Sequence, residues 1–316
     1  MQIKKSDAIL VTGGTGFLGQ AVCDNLRDNG YTNFWPLNSK DYDLTIQDHV
    51  HTMYQRHDPQ VVLHLAARVG GIGANKENPG KFFYDNLSMG LNVIEEGRQH
   101  GIKKFVMVGT VCAYPKFTEV PFKEEDIWTG YPEETNAPYG IAKKTLMQMI
   151  VSYKEQYKFN GVNLIPVNMY GPWDNFDPAS SHVIPALILK FHEAMRDVPH
   201  KKVEIWGTGK ASREFLYVDD CAQAIVSAME DWNDPSPINI GTGAEINIGD
   251  LATLIASTMG YNGELVFDSS KPDGQPRRCL DTTKAQAAFG FSAGVSFEDG
   301  LEKTIEWFKG SKWSRQ

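Results

Sequence analysis

Ala8-Ile9-Leu10-Val11-Thr12-Gly13-Gly14-Thr15-Gly16-Phe17-Leu18-Gly19 runs from a short apolar stretch through glycines at 13, 16 and 19 into a helical pattern. A strand that ends in a glycine-rich turn and opens a helix suits a dinucleotide pyrophosphate. The glycines permit the tight turn and close backbone approach, and the phosphates meet the helix N-terminus. Gly13, Gly14, Thr15, Gly16, Phe17, Leu18 and Gly19 are therefore the first cofactor-binding candidates. Outward from this turn, apolar runs at 34–37, 61–65, 104–108 and 162–167 alternate with helical patterns such as 82–100 and 139–157. Such alternation predicts an α/β fold, a Rossmann-type doubly wound parallel sheet. After Asn168-Met169-Tyr170-Gly171-Pro172 the rhythm breaks into Pro, Asn and Asp clusters and a helix from about 185 to 196. We expect a dinucleotide-binding domain from 1–167 plus about 214–242, its sheet joined again by 215–218 and 237–240. A smaller, discontinuous α/β substrate-binding domain then takes about 168–213 and 243–316, including helices at 248–259 and 297–308.

Composition narrows the classes of function. The 316 residues, 41% hydrophobic, suffice for a large core. No apolar run reaches the roughly 20 residues that cross a bilayer, and Met1-Gln2-Ile3-Lys4-Lys5 leads into no secretory segment, so a soluble, cytoplasmic protein is expected. A net charge of −8 without a basic tract argues against nucleic acid as a partner. The cysteines at 23, 112, 221 and 279 lack C-x-x-C spacing and read as reduced thiols, with no metal site expected.

Tyr139 and Lys143 stand one helical turn apart on the same face. A free phenol titrates near about 10, so a positive neighbour is expected to favour its anion and fit it for proton transfer. With the glycine turn, this pair resembles the extended short-chain dehydrogenase/reductase family. That resemblance implies a Ser or Thr at the end of the fourth strand, and Thr110 follows Val106-Met107-Val108-Gly109 there. Dehydratases of the family carry Asp-Glu straight after the Thr, whereas this chain has Val111-Cys112, which cannot perform that elimination. Cysteine can act as a base on an acidic C–H.

Further segments resemble one branch of the family, which epimerises and reduces GDP-4-keto-6-deoxy-D-mannose to GDP-L-fucose. They are Ala66-Ala67-Arg68-Val69-Gly70-Gly71-Ile72, Cys112-Ala113-Tyr114-Pro115-Lys116, Asp174-Asn175-Phe176, Ser181-His182-Val183-Ile184-Pro185, Trp206-Gly207-Thr208-Gly209, Arg213-Glu214-Phe215 and Lys271-Pro272-Asp273-Gly274-Gln275-Pro276-Arg277. The resemblance implies Cys112 as base and His182 as acid for inversion at C3 and C5, then proton donation by Tyr139 with Thr110 and Lys143. It implies nucleotide-diphosphate contacts from Lys190 and Arg213, further substrate contacts from Trp206, Lys271 and Asp273, and cofactor contacts from Asn168, Tyr139, Lys143 and His182. No acid ends the second strand; Asn38 and Lys40 stand there, which favours NADPH, with NADH still open because Thr15 replaces an arginine of some relatives and Asp41 is near. A homodimer through the Tyr139 helix is implied, although Leu146, Met149, Ile150 and Tyr153 suit a single chain's core equally. An NAD-recycling epimerase, a simple 4-ketoreductase and a non-catalytic nucleotide-binding module are the alternatives.

Overall fold

Short, mostly apolar runs become the central strands, because both faces are covered. In the computed structural model, which describes residues 2–197, 199–271 and 273–315, strands β1 (Ile9–Thr12), β3 (Val61–His64), β4 (Lys104–Val108) and β5 (Gly161–Pro166) are buried along their whole length. Pro272 of the expected substrate loop lies outside the described residues. Strand β2 (Phe34–Leu37) holds Pro36, which is tolerated because β2 is the sheet's edge. The remaining strands are β6 (Asn168–Tyr170), β7 (Val203–Trp206), β8 (Ser212–Tyr217), β9 (Ile238–Ile240), β10 (Glu245–Asn247) and β11 (Leu265–Asp268). The helices among the described residues are α1 (Phe17–Asp28), α2 (Gln47–His57), α3 (Ile72–Glu77), α4 (Pro79–His100), α5 (Ala137–Tyr157), α6 (Val183–Ala194), α7 (Val218–Asp231), α8 (Ile248–Met259), α9 (Thr283–Phe289) and α10 (Phe297–Gly310). No described helix is long and apolar enough to cross a membrane.

The large sheet is parallel with order β2-β1-β3-β4-β5-β9, so the chain reverses direction of travel between β1 and β3. Ligands bind at such a switch point, outside the carboxyl ends of the strands. The register puts Thr12 opposite His64 and His64 opposite Met107, which brings the glycine turn, the segment after β3 and the Thr110 segment to one rim.

The expectation for 215–218 is corrected here, while 238–240 does join the large sheet. Ile238 and Ile240 occupy the position beside Leu164 and Pro166 of β5, and Val167 N–H donates to the Ile240 carbonyl at 3.0 Å. With that place filled, β8 pairs instead with β6 in parallel and with β10 in antiparallel, forming a three-stranded sheet. Strands β7 and β11 form a separate parallel pair. A second core, including Phe176, Ile188, Phe191, Leu251, Ile255 and Phe308, sits among α6, α8 and α10. Leu146 and Ile150 of α5 are fully buried in the large core and serve the interior of one chain, whereas Met149 and Tyr153 are half-buried against it.

Candidate active site

Backbone crowding explains the glycine turn. Gly13 has φ +72°, and a Cβ there would stand 3.0 Å from Ala66 N and Cα, after β3. A side chain at Gly19 would collide with the Gly13 carbonyl and Gly14, so α1 comes directly against the turn. Gly14 N–H donates to the carbonyls of Val11 at 3.2 Å and Leu37 at 3.0 Å, which fixes the turn between β1 and β2. The N-cap of α1 is Gly16, with no side-chain acceptor and no acid in the first turn. A cleared cradle at a helix N-terminus without its own anion fits a pyrophosphate. After β2, Lys40 N–H donates to Asn38 Oδ1 at 2.8 Å and Asn38 N–H to Asp41 Oδ2 at 3.0 Å, which leaves the Lys40 side chain exposed. Asn168 donates to the Glu214 carbonyl at 3.1 Å.

Beyond β4, extended Thr110 caps the turn Val111–Ala113 by accepting from Cys112 N–H at 3.1 Å. Helix α5 presents Tyr139 and Lys143 to this rim. A side chain at Gly140 would collide with the Cys112 carbonyl, so glycine is what lets α5 approach that closely. Lys143 is 1% exposed, its Nζ donates to the Val108 carbonyl at 2.9 Å, and burial pulls its pKa down to about 8. The Tyr139 phenol is not held in its anionic form as expected. Burial pushes the phenol well above its ordinary range, Cys112 adds to that, and the hydrogen bond with Thr110 opposes it. The outcome is a neutral phenol, the form that can give a proton to an alkoxide. At the end of β3, His64 Nδ1 lies 2.8 Å from Thr12 Oγ1; burial, then the Lys143 charge, hold it neutral with a pKa of about 3.

Cys112 is half-buried, and Arg278 Nη1 donates to its Sγ at 3.8 Å. Arg278 is 9% exposed and is braced by Gln275, whose Oε1 accepts from Nε at 3.3 Å and Nη2 at 3.1 Å. Gln275 Nε2 in turn donates to the Lys116 carbonyl at 2.9 Å. Sequence reasoning stopped one residue short, at Arg277, which pairs outward with Glu245. The doublet Arg277-Arg278 was the available signal. His182 is the N-cap residue of α6 but caps nothing with its side chain; it is exposed, and the protein crowding its ring lowers its pKa. Among the described residues no hydrogen bond joins His182 to Cys112 or Tyr139. Upstream, Asp174 is 5% exposed; Oδ1 accepts from Asn175 N–H at 2.7 Å and Oδ2 has no partner among the described residues. Burial raises its carboxyl to about 7.

The expected substrate residues do converge. Trp206 is 58% exposed, with Lys190 Nζ 5.8 Å and Lys271 Nζ 5.5 Å from its ring centroid. Lys190 also donates to the Glu204 carbonyl at 2.8 Å. Arg213 donates to the carbonyls of Ser212 at 2.7 Å and Asp273 at 3.2 Å; burial, then Arg278, pull its pKa to about 10. Asp273 is occupied differently, since its carboxylate accepts from Thr208 N–H at 2.7 Å and Thr208 Oγ1 at 2.8 Å and so holds the loop. Fully buried Glu214, also missed, accepts from the N–H groups of Thr242 at 2.5 Å, Gly243 at 2.8 Å and Leu280 at 2.7 Å, which ties the end of β9 to the segment carrying Arg278.

A dinucleotide cradle beside a Thr, Tyr and Lys cluster defines a nucleotide-dependent oxidoreductase or epimerase site, and the chain belongs to the NAD dependent epimerase/dehydratase family, whose model matches residues 9–241. Within that family it is similar to the putative GDP-L-fucose synthase 2 of Arabidopsis thaliana, 40% identical over 97% of this chain and 93% of that protein. It is also similar in structure to a GDP-L-fucose synthetase from Naegleria fowleri bound to NADP, with a TM-score of 0.90 and 30% identity over 98% of this chain and 96% of that one. A GDP-6-OMe-4-keto-L-xylo-heptose reductase from C. jejuni superposes with a TM-score of 0.92 at 30% identity, covering 98% of this chain and 99% of that one.

Proposed function

We propose that the chain is a bifunctional 3,5-epimerase and 4-reductase that uses NADPH to convert GDP-4-keto-6-deoxy-D-mannose to GDP-L-fucose. The observation that carries this reading is a half-buried thiol held against a guanidinium, one helix contact away from a neutral phenol, on the rim of a dinucleotide cradle. The names of the relatives point the same way.

Hydrogens on the carbons flanking the ketone are acidic because the carbanion delocalises into the carbonyl oxygen. Cys112 as thiolate removes one of them, and His182 returns a proton to the opposite face, which inverts the centre. When bound, the nicotinamide supplies the hydride to C4. Tyr139 then gives its proton to O4, while Thr110 orients the phenol and Lys143 supplies positive charge at the strand end. Trp206, Lys190, Arg213 and Lys271 hold the GDP moiety, and Asp273 acts by tying the turn after Trp206 to the segment that carries Lys271. Lys40 receives the 2′-phosphate that distinguishes NADPH, in line with the Naegleria neighbour's NADP. Two chains pair through the outer faces of α4, where Phe83, Tyr84 and Leu91 are exposed, and of α5, where Tyr157 is exposed.

A simple 4-ketoreductase on a related GDP-sugar is the second reading, favoured by the heptose reductase neighbour. The test mixes protein with GDP-4-keto-6-deoxy-D-mannose and either NADPH or NADH, follows cofactor oxidation and identifies the sugar. Stoichiometric oxidation yielding GDP-L-fucose supports the proposal; C4 reduction without inversion supports the second reading, and no oxidation sinks both.

A further inference from the structure

We propose that Arg278 is a positioning residue that holds Cys112 as a thiolate aimed into the crevice, with Gln275 as its brace. The inference deepens the reading of Cys112 as the base. A base on a carbon acid must be ionised before substrate arrives, and a thiol at neutral pH is ionised when a fixed positive charge lies beside it. Of the groups facing the sulfur, Tyr139 on α5 is neutral and Thr110 is uncharged, whereas Arg213 of β8 and Arg278 are the cations; among the described residues it is Arg278 that donates to Sγ, at 3.8 Å. Two further donors, on Nε and Nη2, go to Gln275 Oε1, and Gln275 is itself held by the carbonyl of Lys116, four residues beyond Cys112 on the same segment. The guanidinium is thus buried without a carboxylate among its hydrogen-bond partners, and the thiolate is the anion it meets.

The same charge has a second effect. A thiolate beside Tyr139 holds the phenol protonated, which suits proton donation, and Arg278 restores the thiolate once the sulfur has released the proton it took.

The experiment measures the pH dependence of iodoacetamide alkylation at Cys112, located by mass spectrometry, in wild type, Arg278→Gln, Arg278→Lys and Gln275→Leu, with Cys112→Ser as blank; the other cysteines are buried. In Arg278→Gln the midpoint should rise by about one unit or more, with alkylation at pH 7 slowed about tenfold. Arg278→Lys should restore most of it, and Gln275→Leu should lie between. Deuterium wash-in at C3 and C5 of GDP-4-keto-6-deoxy-D-mannose in D2O without NADPH should fall in parallel and recover at higher pH. An unchanged midpoint in Arg278→Gln overturns the proposal, as does a raised KM for the sugar nucleotide with the midpoint unmoved. If Arg278→Gln does not fold, an unchanged midpoint in Gln275→Leu overturns it instead. Wild-type protein whose alkylation depends on Arg278 but which washes in no deuterium keeps the pairing and overturns the substrate reading.

Discussion

Asp174→Asn should make stability less sensitive to pH, by an amount that follows from the burial of one carboxyl. In the folded chain this carboxyl titrates at about 7 in place of 3.8, because burial penalises the charge and one oxygen has no partner among the described residues. The folded pKa is raised, so between those values the folded chain keeps a proton that the unfolded chain has released. Stability therefore falls as pH rises through that window. The full shift corresponds to about 4 kcal/mol, of which about 2–3 kcal/mol accrues between pH 5 and 8. Asn cannot ionise and retains the oxygen that accepts from Asn175, so the variant escapes this loss. Equilibrium urea unfolding of both proteins at pH 5, 6, 7 and 8 gives the variant-minus-wild-type difference, in which other titrating groups cancel. That difference should grow in the variant's favour by about 2–3 kcal/mol from pH 5 to 8. A difference flat to within about half a kcal/mol would show that the carboxylate is solvated, and would refute the reasoning.

Gly140→Ala should force α5 off the Cys112 carbonyl, costing about 1–3 kcal/mol in unfolding free energy and reducing deuterium wash-in more than NADPH binding; unaltered wash-in would contradict the close approach. Lys143, with its pKa pulled to about 8, is charged below that value and neutral above it, so kcat/KM for NADPH oxidation should decline as pH rises through about 8, whereas a plateau to pH 10 would contradict its role as a cation.

Much of the fold was legible because it is written locally. The run 34–37 became β2 as read, and the glycine turn announced both β1 and α1. The run 215–218 misled because an apolar stretch signals a strand without naming its partner, and β9 had already taken the place beside β5. The same division holds in the site. Tyr139, Lys143, Thr110 and Cys112 lie in two short segments whose residue types state their chemistry. Arg278 reaches Cys112 across 166 residues, and Glu214 gathers backbone groups from two distant segments, so neither appears as a motif. His182 shows the opposite limit: its role came from resemblance, and among the described residues its side chain makes no hydrogen bond that marks it.

The crowding around the phosphate turn also directs where the chain could be re-engineered. Any side chain at 14 runs into Pro36, one at 13 into Ala66 and one at 19 into the turn itself, so saturation libraries at those positions should return mostly misfolded protein. Ser39, Lys40 and Asp41 are exposed after β2, where we propose that the 2′-phosphate lies. A designer wishing to move the chain from one dinucleotide to the other has a rigid floor to leave alone and a short, permissive rim to rewrite.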